Sequence, residues 1–165
     1  MKKLLISAGA LAATALSTPA FAVATNTATA NATVNIVSPL TLTNNTGLDF
    51  GTVVGPFNGE TVRVASDGTR TCGGLTCSGT TVSAANFTVS GGTASQNLAL
   101  TVDPSVTLTS GSNSLSVDLT TDLPTGLATD TNGGATFGVG GSLVIPAGTS
   151  DGVYSGTFNV QVDYE

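Results

Sequence analysis

The stretch that decides the fold is Tyr154-Ser155-Gly156-Thr157-Phe158-Asn159-Val160-Gln161-Val162-Asp163-Tyr164. Every even position is aromatic, aliphatic or glycine, while Thr157, Asn159, Gln161 and Asp163 occupy odd ones. Strand side chains alternate between faces, so a period of two predicts a strand with one buried and one wet face. A slip of one residue would turn the whole apolar set toward water, so the pattern itself pins the register. Just upstream, Phe137 and Val139 lead through Gly140-Gly141 into Leu143-Val144-Ile145, and residues 146–152 form a Pro/Gly/Asp-rich turn. Together these segments read as a C-terminal hairpin.

The rest of the chain repeats the theme in short pieces. Residues 40–43, 48–53, 61–65, 86–89, 98–102, 106–108 and 115–119 read as strands, separated by Gly, Asn and Ser turn signals. Residues 66–78 read as a long polar loop, and 122–134 as a second loop rich in Asp, Thr and Gly. Thr and Val suit a pleated, half-buried surface, and no long run of strong helix formers follows the first 22 residues. The expected class is therefore all-β: an immunoglobulin-like two-sheet β-sandwich, with a jelly roll or closed barrel as the second choice.

The N-terminus divides differently. Lys2 and Lys3 precede an apolar stretch over residues 4–16, and Ala20-Phe21-Ala22 is a small-x-small cleavage site. This is the layout of a secretory signal peptide over residues 1–22, and the apolar run falls short of the ~20 residues a membrane span needs. Residues 23–33 then alternate, with Ala24, Ala28, Ala30 and Ala32 on one face and Thr25, Thr27, Thr29 and Thr33 on the other. A strand and an unstructured tail both remain open for 23–30, and a strand is expected from Asn31 through Val34 and Ile36. The expected organisation is a cleaved signal over 1–22, an extension over 23–33 and one β-domain over 34–165.

Charge removes one class of function. Once the two lysines leave with the signal, only Arg63 and Arg70 stand against ten acidic residues, a formal charge of −8. Such a chain has no means of neutralising a phosphate backbone, so nucleic acid is not an expected partner. Cys72 and Cys77 are the only cysteines, and an exported chain places them in an oxidising compartment. Their spacing suits a small structural disulfide at a loop tip, whereas zinc would want histidine or a second pair.

Catalytic equipment is sparse. The sequence contains no His and no Trp, and a nucleophilic Ser normally needs His or Lys beside it. A pair of carboxylates is the remaining route to hydrolysis, and no Asp or Glu stands in a recognisable setting. Asp122 and Asp130 share the one loop where calcium is conceivable, but the tight alternation of oxygen ligands is missing, so a solvated loop is expected. No enzyme activity and no cofactor are expected, and Tyr154 and Tyr164 read as core residues instead of sugar-stacking ones.

Four short stretches carry a resemblance: Ser38-Pro39-Leu40 within residues 34–42, Leu48-Asp49-Phe50-Gly51, Gly140-Gly141-Ser142-Leu143, and Gly152-Val153-Tyr154-Ser155-Gly156-Thr157-Phe158. With these the chain resembles the secreted bacterial family called domain of unknown function 4402. Its closing strands also resemble the spore coat protein U-like subunits of archaic chaperone–usher pili. That resemblance implies a pilin-type sandwich lacking an edge strand, completed first by a periplasmic chaperone and then by the N-terminal extension of the next subunit, delivered through an outer-membrane usher. Carried onto this sequence, Ala24, Ala28, Ala30 and Ala32 become the donor-strand side chains, and Tyr154, Phe158, Val160, Val162 and Tyr164 a groove wall. The expected product is a fimbria-like homopolymer at the cell surface, not inserted in the membrane. The alternative is a free-standing secreted binding module or adhesin that recognises a surface ligand through its loops. Alanine is a weak anchor, because apolar burial yields only about 25 cal/mol per Å² and a methyl group offers little area.

Overall fold

A computed structural model of the chain describes residues 26–121, 123 and 126–165. The expected signal over 1–22, Ala24 and Asp122 lie outside the described residues. The chain divides into two compact units, Met1–Val34 and Asn35–Glu165. In the first, residues 26–34 are exposed and form no ladder.

The second unit is all-β and sandwich-like. Its strands are β1 (Thr41–Thr46), β2 (Thr52–Val54), β3 (Glu60–Val64), β4 (Arg70–Thr71), β5 (Thr76–Ser78) and β6 (Ala85–Ser90). They continue with β7 (Asn97–Val102), β8 (Ser105–Ser110), β9 (Asn113–Thr120), β10 (Leu127–Ala128), β11 (Ala135–Ile145) and β12 (Val160–Tyr164). One sheet runs β1-β6-β11-β3-β4, with β9 also on β11 and β8 on β9; a smaller sheet runs β10-β7-β12, and β2 pairs β5 alone.

β11 is the hub. Its first half lies against β6, with Phe137 opposite Phe87, and its second half lies between β3 and β9. The handover occurs at Gly140, where a Cβ would run into the Val64 carbonyl and the Ala65 backbone. Only glycine lets the crossing main chain approach so closely. Odd-numbered β11 residues then point inward on both halves and divide the core in two. Val62, Val64, Val106, Leu115, Val117, Leu143 and Ile145 form one cluster with Phe50 and Ala84. Ala85, Phe87, Val89, Leu98, Leu127, Phe137 and Val139 form the other, where the Phe87 and Phe137 rings stack at 5.3 Å.

Four expectations need correction. The last two strands are not a hairpin: β11 pairs with β6, β3 and β9, whereas β12 pairs with β7, so residues 146–152 carry the chain from one sheet to the other. The expected strand over 154–164 is also shorter, because the β7–β12 ladder ends at Val160. There Asp103 Oδ2 accepts from Asn159 N (2.7 Å) and Nδ2 (3.1 Å), putting a side chain where a ladder carbonyl would stand. Beyond it only an isolated bridge joins Ser155 to Thr109. Third, the strand expected from Asn31 is absent: among the described residues 31–36 join no ladder, and pairing begins at Thr41 against Ser90. The supposed loop over 66–78 instead contains β4 and β5.

Candidate functional site

Every even side chain from Tyr154 to Tyr164 except the glycine is half-buried, and every odd one is exposed. The alternation is therefore right, yet the inward face is only partly covered. The uncovered part opens into a groove of about 1020 Å³ over the first core cluster. Its floor comes from Val106, Leu108, Leu115, Val117, Leu143 and Ile145, which alternation on β8, β9 and β11 turns inward. One wall is residues 47–55 with Phe57, and the facing wall is residues 149–156 with Phe158.

Each wall has identifiable supports. Asp49 exchanges two main-chain hydrogen bonds with Ser83 (2.9 and 3.1 Å), anchoring the first wall at one point. Further along, β2 pairs β5, placing Val53 opposite Cys77. The Cys72–Cys77 disulfide closes this loop with a Cα–Cα separation of 6.1 Å, so the bridge expected from spacing braces the strand behind the wall. Arg70 on β4 adds a cross-tie: its guanidinium donates to the Phe50 carbonyl (3.0 Å) and the Ser78 carbonyl (3.3 Å). Gly51, at φ 71°, leaves room for that guanidinium, which a Cβ would overlap.

The opposite wall is held more loosely. Ser155 and Thr109 exchange two main-chain bonds (2.8 and 3.1 Å), and Tyr154 Oη donates to the Ser150 carbonyl (3.0 Å). Gly156 lies so close to the Thr107 carbonyl that a Cβ there would collide with it. At the far end of the same segment Tyr164 Oη donates to the Ser38 carbonyl (2.7 Å) and accepts from Thr93 N (2.8 Å). Ser38 N donates to Thr93 Oγ1 (2.8 Å), so the chain is pinned at residue 38. Leu40, Leu42, Val160, Val162 and Tyr164 pack on the second core cluster and close that end.

Of the residues expected to form a groove wall, Tyr154 and Phe158 line the groove, and Val160, Val162 and Tyr164 do not. The first wall and the floor were not anticipated, although Leu48-Asp49-Phe50-Gly51 had stood out as a motif. Ala28, Ala30 and Ala32 are exposed in a segment with no strand pairing. The large apolar side chains most exposed among the described residues are Val153 (87%), Ile36 (85%) and Val34 (81%).

Electrostatics at the groove are mild. Asp49 Oδ1 accepts from Gly51 N (2.7 Å) and so serves its own turn. Away from the groove, Asp130 is held below the usual carboxylate range by hydrogen bonds from the Gly134 and Asn132 amides. The Thr69 amide does the same for Asp67, and the Asn58 amide for Glu60. Asp130 thus spends its oxygen on its own loop. Among the described residues no group of three or more His, Cys, Asp and Glu gathers as a metal site.

One family model matches the chain, over residues 40–164, and its description is "Domain of unknown function (DUF4402)". No curated protein and no solved structure matches the chain.

Proposed function

This chain belongs to the DUF4402 family, and from its open groove we propose that it is a structural subunit of a fimbria-like surface assembly, polymerising by strand complementation. The observation that carries this reading is the groove: an apolar floor between two walls, one of which is the loosely bridged segment 149–158. An added strand takes main-chain hydrogen bonds from an open edge and seats alternate side chains in apolar sockets. An exposed edge beside an apolar surface is a liability in a free monomer, and a partner strand removes it. The natural donor is the extension that precedes the domain, because among the described residues its alternating stretch over 26–36 joins no ladder. Export, a periplasmic chaperone that fills the groove in transit and an outer-membrane usher complete the proposal. The role is structural, with no catalytic step.

The test is an unboiled gel of protein exported to the periplasm, comparing the parent chain with one lacking residues 23–36. A ladder of heat-sensitive multimers that disappears on truncation is expected. A single monomer band from both, each unfolding cooperatively, would overturn strand complementation and leave the free-standing binding module as the better account.

A further inference from the structure

We propose that the groove is filled by residues 28–36 of a second copy of this chain, gripped by Val34 and Ile36, and that this makes a short, stiff joint between copies. The inference rests on the strand-complementation reading and specifies its partner and anchors. In the 28–36 segment Ala28, Ala30, Ala32, Val34 and Ile36 share one parity, with Thr29, Asn31, Thr33 and Asn35 on the other. The face is amphipathic, and its bulk is concentrated at the C-terminal end. Val34 and Ile36 are 81% and 85% exposed, an unusual state for two β-branched side chains spaced to share a strand face. The half-buried part of the lining that they would meet is apolar and matches them in kind: Leu48, Val53, Phe57, Leu108, Tyr154 and Phe158.

Charge points to the same segment. The chain carries a net −6, and residues 26–36 contain no charged side chain. Two acidic copies therefore approach through this stretch without adding a like charge to the groove. Nine extended residues span roughly 30 Å, the length of a long strand.

The joint follows from the anchor at residue 38. Ser38 is tied to Thr93 and Tyr164 of its own body, so Val37 alone separates the anchor from Ile36. At ~3.3 Å per extended residue, the bodies would abut directly. Were Ala24, Ala28, Ala30 and Ala32 the anchors, residues 33–37 would intervene, a tether of roughly 17 Å that lets the bodies swing.

The experiment compares multimers of the full exported chain with those of Val34→Ser/Ile36→Ser and Ala28→Ser/Ala30→Ser/Ala32→Ser. Each chain is run unboiled and also diluted to follow release of monomer. Because both large residues are exposed in the monomer, the melting temperature of monomeric Val34→Ser/Ile36→Ser should equal that of the parent, which separates lost assembly from lost folding. We expect the double variant to lose its ladder, with affinity reduced on the order of tenfold to a hundredfold per side chain, while the alanine variant keeps most of it. A parental ladder from Val34→Ser/Ile36→Ser, or loss confined to the alanine variant, overturns the anchor assignment and leaves strand complementation standing. If the parent forms no multimers at any concentration, both the reading and this inference fall. A parental filament whose joints bend as freely as a five-residue tether, viewed by electron microscopy, overturns the stiff joint.

Discussion

Replacing Arg70 tests whether the groove wall is held as described. The guanidinium makes two charge-assisted bonds, to the Phe50 carbonyl at 3.0 Å in a part-buried setting and to the Ser78 carbonyl at 3.3 Å in an exposed one. A hydrogen bond to a charged group contributes about 1.5–3 kcal/mol when sheltered, and the longer, wetter one far less. Arg70→Ala also strips the alkyl stem from β4 and leaves the Phe50 carbonyl without this donor. The expected loss is therefore roughly 2–3 kcal/mol. With a urea slope of about 1.5 kcal/mol/M, that moves the unfolding midpoint down by roughly 1.3–2 M. Arg70→Lys should recover part of this, since both bonds leave the single nitrogen Nη1 and an ammonium has hydrogens for both, though its shorter arm brings them less close. Because the tie joins Phe50 to β5, the multimer ladder should weaken in step with the midpoint. If Arg70→Ala unfolds within about 0.5 kcal/mol of the parent, the cross-tie contributes nothing and the wall must be held by β2–β5 pairing and the Asp49–Ser83 bonds.

Other perturbations act elsewhere in the fold. Gly140→Ala places a Cβ against the Val64 carbonyl and the Ala65 backbone, neither of which is a flexible side-chain end. It should cost several kcal/mol and yield little folded protein, measurable by circular dichroism and by soluble yield. Replacing Cys72 and Cys77 with alanine opens a six-residue loop, worth about 2 kcal/mol by chain entropy, and urea titration of the variant against the oxidised parent reads it directly. Asp130, Asp67 and Glu60 are depressed by amide donors, so the unfolded chain binds protons more readily than the folded one. Their stabilising contribution is present above the ordinary carboxylate range and is lost as pH falls through the lowered folded values, so through these groups melting temperature should decline on the acid side. Asp130→Asn should flatten the decline, and an unchanged profile would mean these amide bonds do not couple to folding.

What the sequence made legible was local. Alternation along 154–164 is a property of consecutive residues, and the structure keeps its parity at every apolar position. Which strand lies alongside is a property of distant residues, so the pairing of β12 with β7 and the absence of a terminal hairpin had no local signature. Alternation also reports amphipathicity and not partnership: residues 26–36 carry the pattern and have no ladder. β4 and β5 were hidden for the opposite reason. They hold so few apolar residues that their strand character comes only from facing Val64 and Val53. The groove divides in the same way. Tyr154 and Phe158 stood in a periodic stretch, whereas the wall over 47–55 has no sustained period and the floor is assembled from three strands distant in sequence.

The character of the groove decides between kinds of occupant. A site for a small polar ligand sets a few convergent polar groups in an apolar cleft. Here the floor is Val, Leu and Ile, and two of the polar groups at the rim serve the protein itself: Asp49 holds the Gly51 amide and the Tyr154 hydroxyl the Ser150 carbonyl. A strand asks for something different, namely alternating apolar sockets beside an accessible main chain. Residues 153–158 supply the second requirement, because a single bridge at Ser155 ties them to β8 while Tyr154 and Phe158 turn inward from the same segment. The features that make this segment a poor finished edge, sparse pairing and a half-covered apolar face, are the features that suit it to receive a strand. Such an edge must also be capped between synthesis and assembly, because two uncovered copies would otherwise pair without a fixed register. A transient capping partner in the periplasm is therefore part of the same physical proposal.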